Sequence, residues 1–165
     1  MKSSLMMDFS VDKEKSQIHI RREFAAPLSA VWAAYTQSDL LDQWWAPRPW
    51  KANTITMDFK EGGHWLYFME GPEGERHYCR ADYKKISEER SFEALDAFCS
   101  PEGVVNTSMP RTEWETQFES EGNTTFVNVH LTYKSLDDLE KVLAMGMKEG
   151  FTMALENLDE LLAQR

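Results

Sequence analysis

Residues 136–165 read LDDLEKVLAMGMKEGFTMALENLDELLAQR, a run of strong helix formers that carries two glycines four residues apart. Leu139, Val142, Leu143, Met147, Gly150, Phe151, Ala154, Leu155, Leu158 and Leu162 keep one apolar helical stripe. A helix over 136–163 would be about 40 Å long at about 1.5 Å per residue. Its apolar stripe must lie on something, and it is long enough to cover a whole sheet face. Ser135-Leu136-Asp137-Asp138 supplies an acidic capping start. Gly146 and Gly150 each cost about 1 kcal/mol relative to alanine in a helix interior. Their position on the inner face predicts either close approach of a strand or space left beside Met147 and Phe151.

The sheet that such a helix needs is written upstream. Ile18, Ile20 and Phe24 alternate in QIHIRREF over 17–24, and DFSVD before it can pair with or extend that strand. Pro27 suits the first position of a helix whose buried face is Leu28, Val31, Trp32 and Tyr35. Ser38 can cap a second short helix, DLLDQWW, which the prolines of APRPW stop by Ala46. From there to about 134 the pattern is strand-like: 53–59 with Ile55, Met57 and Phe59 on one side, then HWLYFME, 75–86, 90–98, 111–120 and 124–133. Glu61-Gly62-Gly63, Gly71-Pro72-Glu73-Gly74 and Glu121-Gly122-Asn123 mark turns. The stretch 99–110, CSPEGVVNTSMP, has no period and reads as a loop. Strands in series with helices before and after them predict an α+β fold with the helices on one sheet face.

Composition narrows the function classes. Hydrophobic residues make up 42% of 165 residues, which supports one packed domain rather than disorder. The net charge of -10 argues against nucleic acid and against an anionic membrane surface as partners. MKSSLMMDFS lacks a signal peptide's apolar stretch of about 7–15 residues. No run of about 18 apolar residues predicts membrane insertion. Cys79 and Cys99 are too few for a disulfide framework, so a soluble cytoplasmic protein with reduced thiols is expected.

Several blocks together resemble a known family. REFAAPLSAVWAAYTQSDLLDQWWAPRPW is similar to the opening signature of bacterial proteins related to the C-terminal domain of the heat-shock-protein-90 ATPase activator. EGGHWLYFMEGPEG resembles that family's double-glycine strand and hairpin, HYCRADYKKI its next strand, and MGMKEGFTMALENLDELL its closing helix. The resemblance runs over about residues 8–163 within a single domain, 1–165. It implies the helix-grip fold of START-like lipid binders, pollen-allergen relatives and polyketide cyclases, the SRPBCC superfamily. There a curved antiparallel sheet wraps a long C-terminal helix, with two short helices after the first strand and a hydrophobic cavity between sheet and helix. The resemblance does not fix one activity, because that superfamily hosts several. The eukaryotic activators carry an additional N-terminal domain, for which this chain has no room. They also dock on an acidic chaperone through basic surface, so a charge of -10 argues against chaperone binding.

The candidate lining follows from strand parity. Trp65, Tyr67 and Met69 share one face; His77, Cys79 and Tyr83 share a face of the next strand; Trp114 heads a third stripe with Thr116 and Phe118. Met147, Gly150 and Phe151 face them from the final helix. Periodicity alone favours a filled core, whereas the resemblance implies a partly hollow one that takes a small hydrophobic or amphipathic ligand. No cofactor is expected. His77 and Cys79 lack a third metal ligand, and His64 and His130 lie elsewhere in the chain.

Asp82, Asp96, Glu113 and Glu115 lie on strands, where carboxylates ordinarily face solvent. Arg48, amid the aromatics of 44–50, could meet a ligand carboxylate, but a solvated loop arginine is the plainer reading. Three functions stay open: non-catalytic ligand binding; an enzyme on a cyclic or polyketide-like substrate, with His77, Asp82 or Tyr83 as acid or base; and a chaperone-linked stress adaptor. A homodimer is open to a small sheet protein, and the sequence names no interface.

Overall fold

A computed structural model describes residues 5–164; the extreme ends of the expected domain, 1–4 and 165, lie outside the described residues. The strands are β1 (Met7–Asp12), β2 (Gln17–Phe24), β3 (Lys51–Met57), β4 (His64–Glu70), β5 (Arg76–Ser87), β6 (Ser91–Phe98), β7 (Thr112–Glu121) and β8 (Thr124–Thr132). They form one curved antiparallel sheet in the order β1-β2-β8-β7-β6-β5-β4-β3. Helices α1 (Leu28–Thr36) and α2 (Ser38–Trp44) join β2 to β3; α3 (Leu136–Ala144) and α4 (Met147–Ala163) follow β8. The architecture is α+β of the helix-grip type. DFSVD makes a strand of its own, paired to β2 from Met7↔Arg22 to Asp12↔Gln17, so the two short helices follow the second strand rather than the first.

One face of the sheet is apolar by alternation and carries the helices. On β2, Ile18, Ile20, Arg22 and Phe24 are buried; on β8, Thr125, Val127, Val129 and Leu131 match them. Phe151, Ala154, Leu155, Leu158, Leu161 and Leu162 of α4 complete this core. Trp32 of α1 meets Phe59, Phe92 and Phe118 edge-on. Polar groups set the orientation of the helices. Arg22 Nη2 donates to Asp159 Oδ2 at 2.5 Å, pairing β2 with α4 beneath the surface. Asn157 Nδ2 donates to the carbonyl of Ala46 at 3.0 Å, and Trp44 Nε1 donates to that of Ala34 at 2.9 Å. The second and third bonds tie the 45–50 segment and α2 to their neighbours.

Four local expectations are corrected. The long helix is two helices. Gly146 sits between them at φ +90°, a left-handed conformation that ends α3 and that only glycine adopts without strain. Gly146 therefore lies at the break and not on the inner face of one straight rod.

The expected alternation over 53–59 fails at Ile55. A bulge between Thr54 and Thr56 leaves it unpaired and 43% exposed. A second bulge between Tyr83 and Ile86 absorbs one extra residue, so both side chains reach the core side of β5.

At the short helices, Pro27 and Gln37 occupy the N-cap positions in extended conformation. Ser38 is already helical and offers no side-chain cap. Ser135 does cap α3, accepting from Asp138 N at 3.1 Å.

Candidate functional site

The inner faces of β4 to β7 do not meet the helices everywhere. Between them and the α3–α4 junction lies a cavity of about 530 Å³. Tyr67 and Met69 of β4, His77 and Cys79 of β5, Asp96 and Phe98 of β6, and Thr112 and Trp114 of β7 form its sheet wall. Val142, Met145, Met147, Gly150 and Phe151 close the helical side, and Trp45, Pro47 and Trp50 come from the segment after α2. The helix break matters here, because it places Met145 and Met147 on either side of Gly146 against one space.

The aromatic wall is continuous. Trp45 contacts Trp65, Trp114 and Phe151 with ring centres 5.5, 5.8 and 6.0 Å away, and Trp114 meets Phe151 at 5.7 Å. Trp45 Nε1 donates to Tyr67 Oη at 3.0 Å. Trp50 lies against His77 at 5.3 Å. Such an arrangement offers ring faces to an occupant while its own N–H groups are largely satisfied.

Among the described residues, Asp96 is the one acid in this wall. Trp114 Nε1 donates to its Oδ2 at 2.7 Å and Thr112 N to its Oδ1 at 3.0 Å. Burial in apolar surroundings nevertheless pushes its carboxyl up to about 6, with those two hydrogen bonds and Arg111 acting in the opposite direction. Asp96 is half-buried and lines the cavity. Burial pushes the Cys79 thiol up to about 12, which leaves it protonated and a poor nucleophile. Burial likewise drives Tyr67 well above its ordinary range, with Cys79 and Asp96 adding to the effect.

A family model for the Activator of Hsp90 ATPase homolog 1-like protein matches residues 25–163. The chain belongs to this family. Among solved structures, protein Ms6760 from Mycobacterium smegmatis is 31% identical, covers 96% of each chain and superposes with a TM-score of 0.87. A protein from Arthrobacter aurescens is 28% identical, with 96% of this chain and 92% of that one covered and a TM-score of 0.90. One from Staphylococcus epidermidis is 28% identical over 94% of both, with a TM-score of 0.83. No curated protein matches the chain.

Within this activator-homologue-like domain, the residues singled out by parity fall into two groups. Tyr67, Met69, His77, Cys79, Trp114, Met147, Gly150 and Phe151 line the cavity. Trp65 and Tyr83 instead line a smaller space of about 40 Å³ that shares Trp45, Tyr67, Asp96 and Trp114 with the larger one. Trp65 is stacked on Tyr67 at 3.9 Å and donates its N–H to Thr54 Oγ1 at 3.0 Å. Tyr83 is buried against Phe59. Both belong to the packed floor.

Sequence reasoning missed Asp96 as a lining residue. The signal was available: Phe92, Ala94, Asp96 and Phe98 share one parity on β6, and the other three are apolar. Asp82 is on the other face, held by Arg80 at 2.6 Å and Arg111 at 3.4 Å. Arg48 pairs with Glu160 at 2.6 Å on the surface and is absent from the lining. Among the described residues, no three His, Cys, Asp or Glu side chains cluster as a metal would require. No helix among them is long and apolar enough to cross a membrane.

Proposed function

We propose that this protein binds a small hydrophobic or amphipathic molecule in the cavity between the sheet and the α3–α4 junction, without covalent chemistry. The observation that carries this reading is the combination of volume and lining: about 530 Å³, walled mainly by aromatic and methionine side chains with few polar points. That size and chemistry match ordinary small-molecule sites. The protonated Cys79 and phenolic Tyr67 supply hydrogen bonding to an occupant rather than a nucleophile. The test is titration with N-phenyl-1-naphthylamine, a neutral dye whose emission rises in apolar surroundings. One saturable site is expected, with affinity reduced at least tenfold by Gly150→Leu, which fills the space beside Pro47. No emission change with the wild-type protein would overturn the reading.

A second reading, proton-transfer catalysis on a polyketide-like substrate, is favoured by one observation: Asp96, not Asp82, is a carboxyl inside the cavity with its proton affinity raised to about 6. Its test is loss of water from a β-hydroxyacyl thioester, followed by mass spectrometry. Turnover abolished by Asp96→Asn would support catalysis, and no turnover by the wild type would count against it.

A further inference from the structure

Asp96 carries no ion pair among the described residues. Among the described residues its oxygens accept from neutral donors, the Trp114 indole and the amide and side chain of Thr112. The guanidinium groups nearest in the fold are committed elsewhere. Arg111 donates to the Asp96 main-chain carbonyl at 3.3 Å and to Asp82 at 3.4 Å, and Arg80 is taken by Asp82 and the Gly103 carbonyl. Arg111 therefore steadies Asp96 only from a distance. Among the described residues, no lysine or arginine lines the cavity.

A carboxylate withdrawn from water without a cation is costly, and a cation supplied by a ligand removes that cost. A carboxylate has about four acceptor sites, so the bonds from Trp114 and Thr112 leave room for another donor. The cavity that Asp96 lines also carries the rings of Trp45, Trp114, Tyr67 and Phe151, with Trp50 against His77. Ring faces carry negative electrostatic potential and attract organic cations. A ligand carboxylate would meet repulsion from Asp96 and no compensating base. The overall charge of -10 adds a long-range attraction of the same sign preference.

We infer that the occupant of this cavity is an organic cation, an amine or ammonium head on an apolar body, with its head held between Asp96 and the indole rings of Trp45 and Trp114. The inference rests on the ligand-binding reading above and names the chemistry of what binds. Arg48 is the surface arginine that the plainer sequence reading expected, paired with Glu160 and outside the wall.

The experiment compares three probes on one body: 2-(1-naphthyl)ethylamine, 2-(1-naphthyl)ethanol and 1-naphthylacetate, titrated calorimetrically at pH 7.5. The amine is expected to bind at least tenfold more tightly than the alcohol, and the carboxylate most weakly. Asp96→Asn should remove most of the amine's advantage over the alcohol. Equal or tighter binding of the alcohol or carboxylate to the wild type overturns the inference, whether or not the variant folds. So does an amine preference that survives Asp96→Asn. If the neutral dye binds and the amine does not, the cation assignment fails and the binding reading stands; if neither binds, both fail.

Discussion

Trp114 reaches diagonally across the β6–β7 ladder to place its indole N–H 2.7 Å from Asp96 Oδ2. A large ring thus forms part of the cavity wall and stabilises the only acid in it among the described residues. Hydrogen bonds to a charged group are worth about 1.5–3 kcal/mol, or roughly 1–2 pKa units. Trp114→Phe should therefore raise the Asp96 pKa further above its value of about 6. Carbon-detected NMR titration of the carboxyl measures this directly; an unchanged midpoint would mean that the bond contributes nothing to the ionised form.

Asp96 also makes a signed prediction about stability and pH. Its folded pKa of about 6 lies above its ordinary 3.8, so between these values the folded state holds more protons than the unfolded one. Its contribution is then fully favourable below the lower value and is lost as pH rises to the higher one. Subtracting the unfolding free energy of Asp96→Asn from that of the wild type isolates this group. That difference should fall by about 1–3 kcal/mol from pH 4 to pH 7 and stay flat above. A difference that rises with pH would mean that the folded state favours the ionised form.

The pair between Arg22 and Asp159 fixes α4 against β2, with side chains 4% and 19% exposed. Removing one member leaves the other charge stranded, which costs about 3–5 kcal/mol for a buried pair. Asp159→Ala should lose an amount near the lower end in urea denaturation, because Asp159 keeps some access to water. Arg22→Met combined with Asp159→Leu should recover most of the loss. Equal losses in the single and double variants would show that packing, not stranded charge, dominates.

The two glycines predict opposite outcomes. Gly146 has φ +90°, and placing an alanine there costs about 1–2 kcal/mol of left-handed strain. Gly150 is helical, and a methyl built on it meets only Pro47 Cγ, at 3.7 Å, among the described residues. Gly150→Ala should stabilise the fold by up to about 1 kcal/mol from helix propensity and narrow the cavity. Thermal melts of both variants test the contrast. A large loss at Gly150 would point to close packing that this geometry does not contain.

Most of the sheet was legible because strand periodicity and turn residues are local signals. Ile18 and Ile20, Trp65 and Tyr67, and Trp114 and Thr116 each declare an inner face by parity. Parity fails where the backbone inserts a residue. Nothing in NTITM announces that Ile55 stands outside the ladder, since a bulge arises from pairing with a distant strand. The helix break at Gly146 was hidden by the good helix formers on both sides, although the glycine itself was visible. Asp96 was misread for another reason: a general tendency of carboxylates toward water outweighed the apolar company of Phe92 and Ala94 on the same face.

The break at Gly146 divides the C-terminal segment into parts of unequal anchorage. α3 buries one residue, Leu139, whereas α4 buries seven. Local opening costs less where less apolar surface is locked down. Amide hydrogens of 136–144 should therefore exchange with solvent through small fluctuations, while those of 151–162 exchange only on global unfolding. Val142 and Met145 line the cavity from this weakly anchored part, so that side of the cavity should open through the same local equilibrium and not through unfolding of the whole domain.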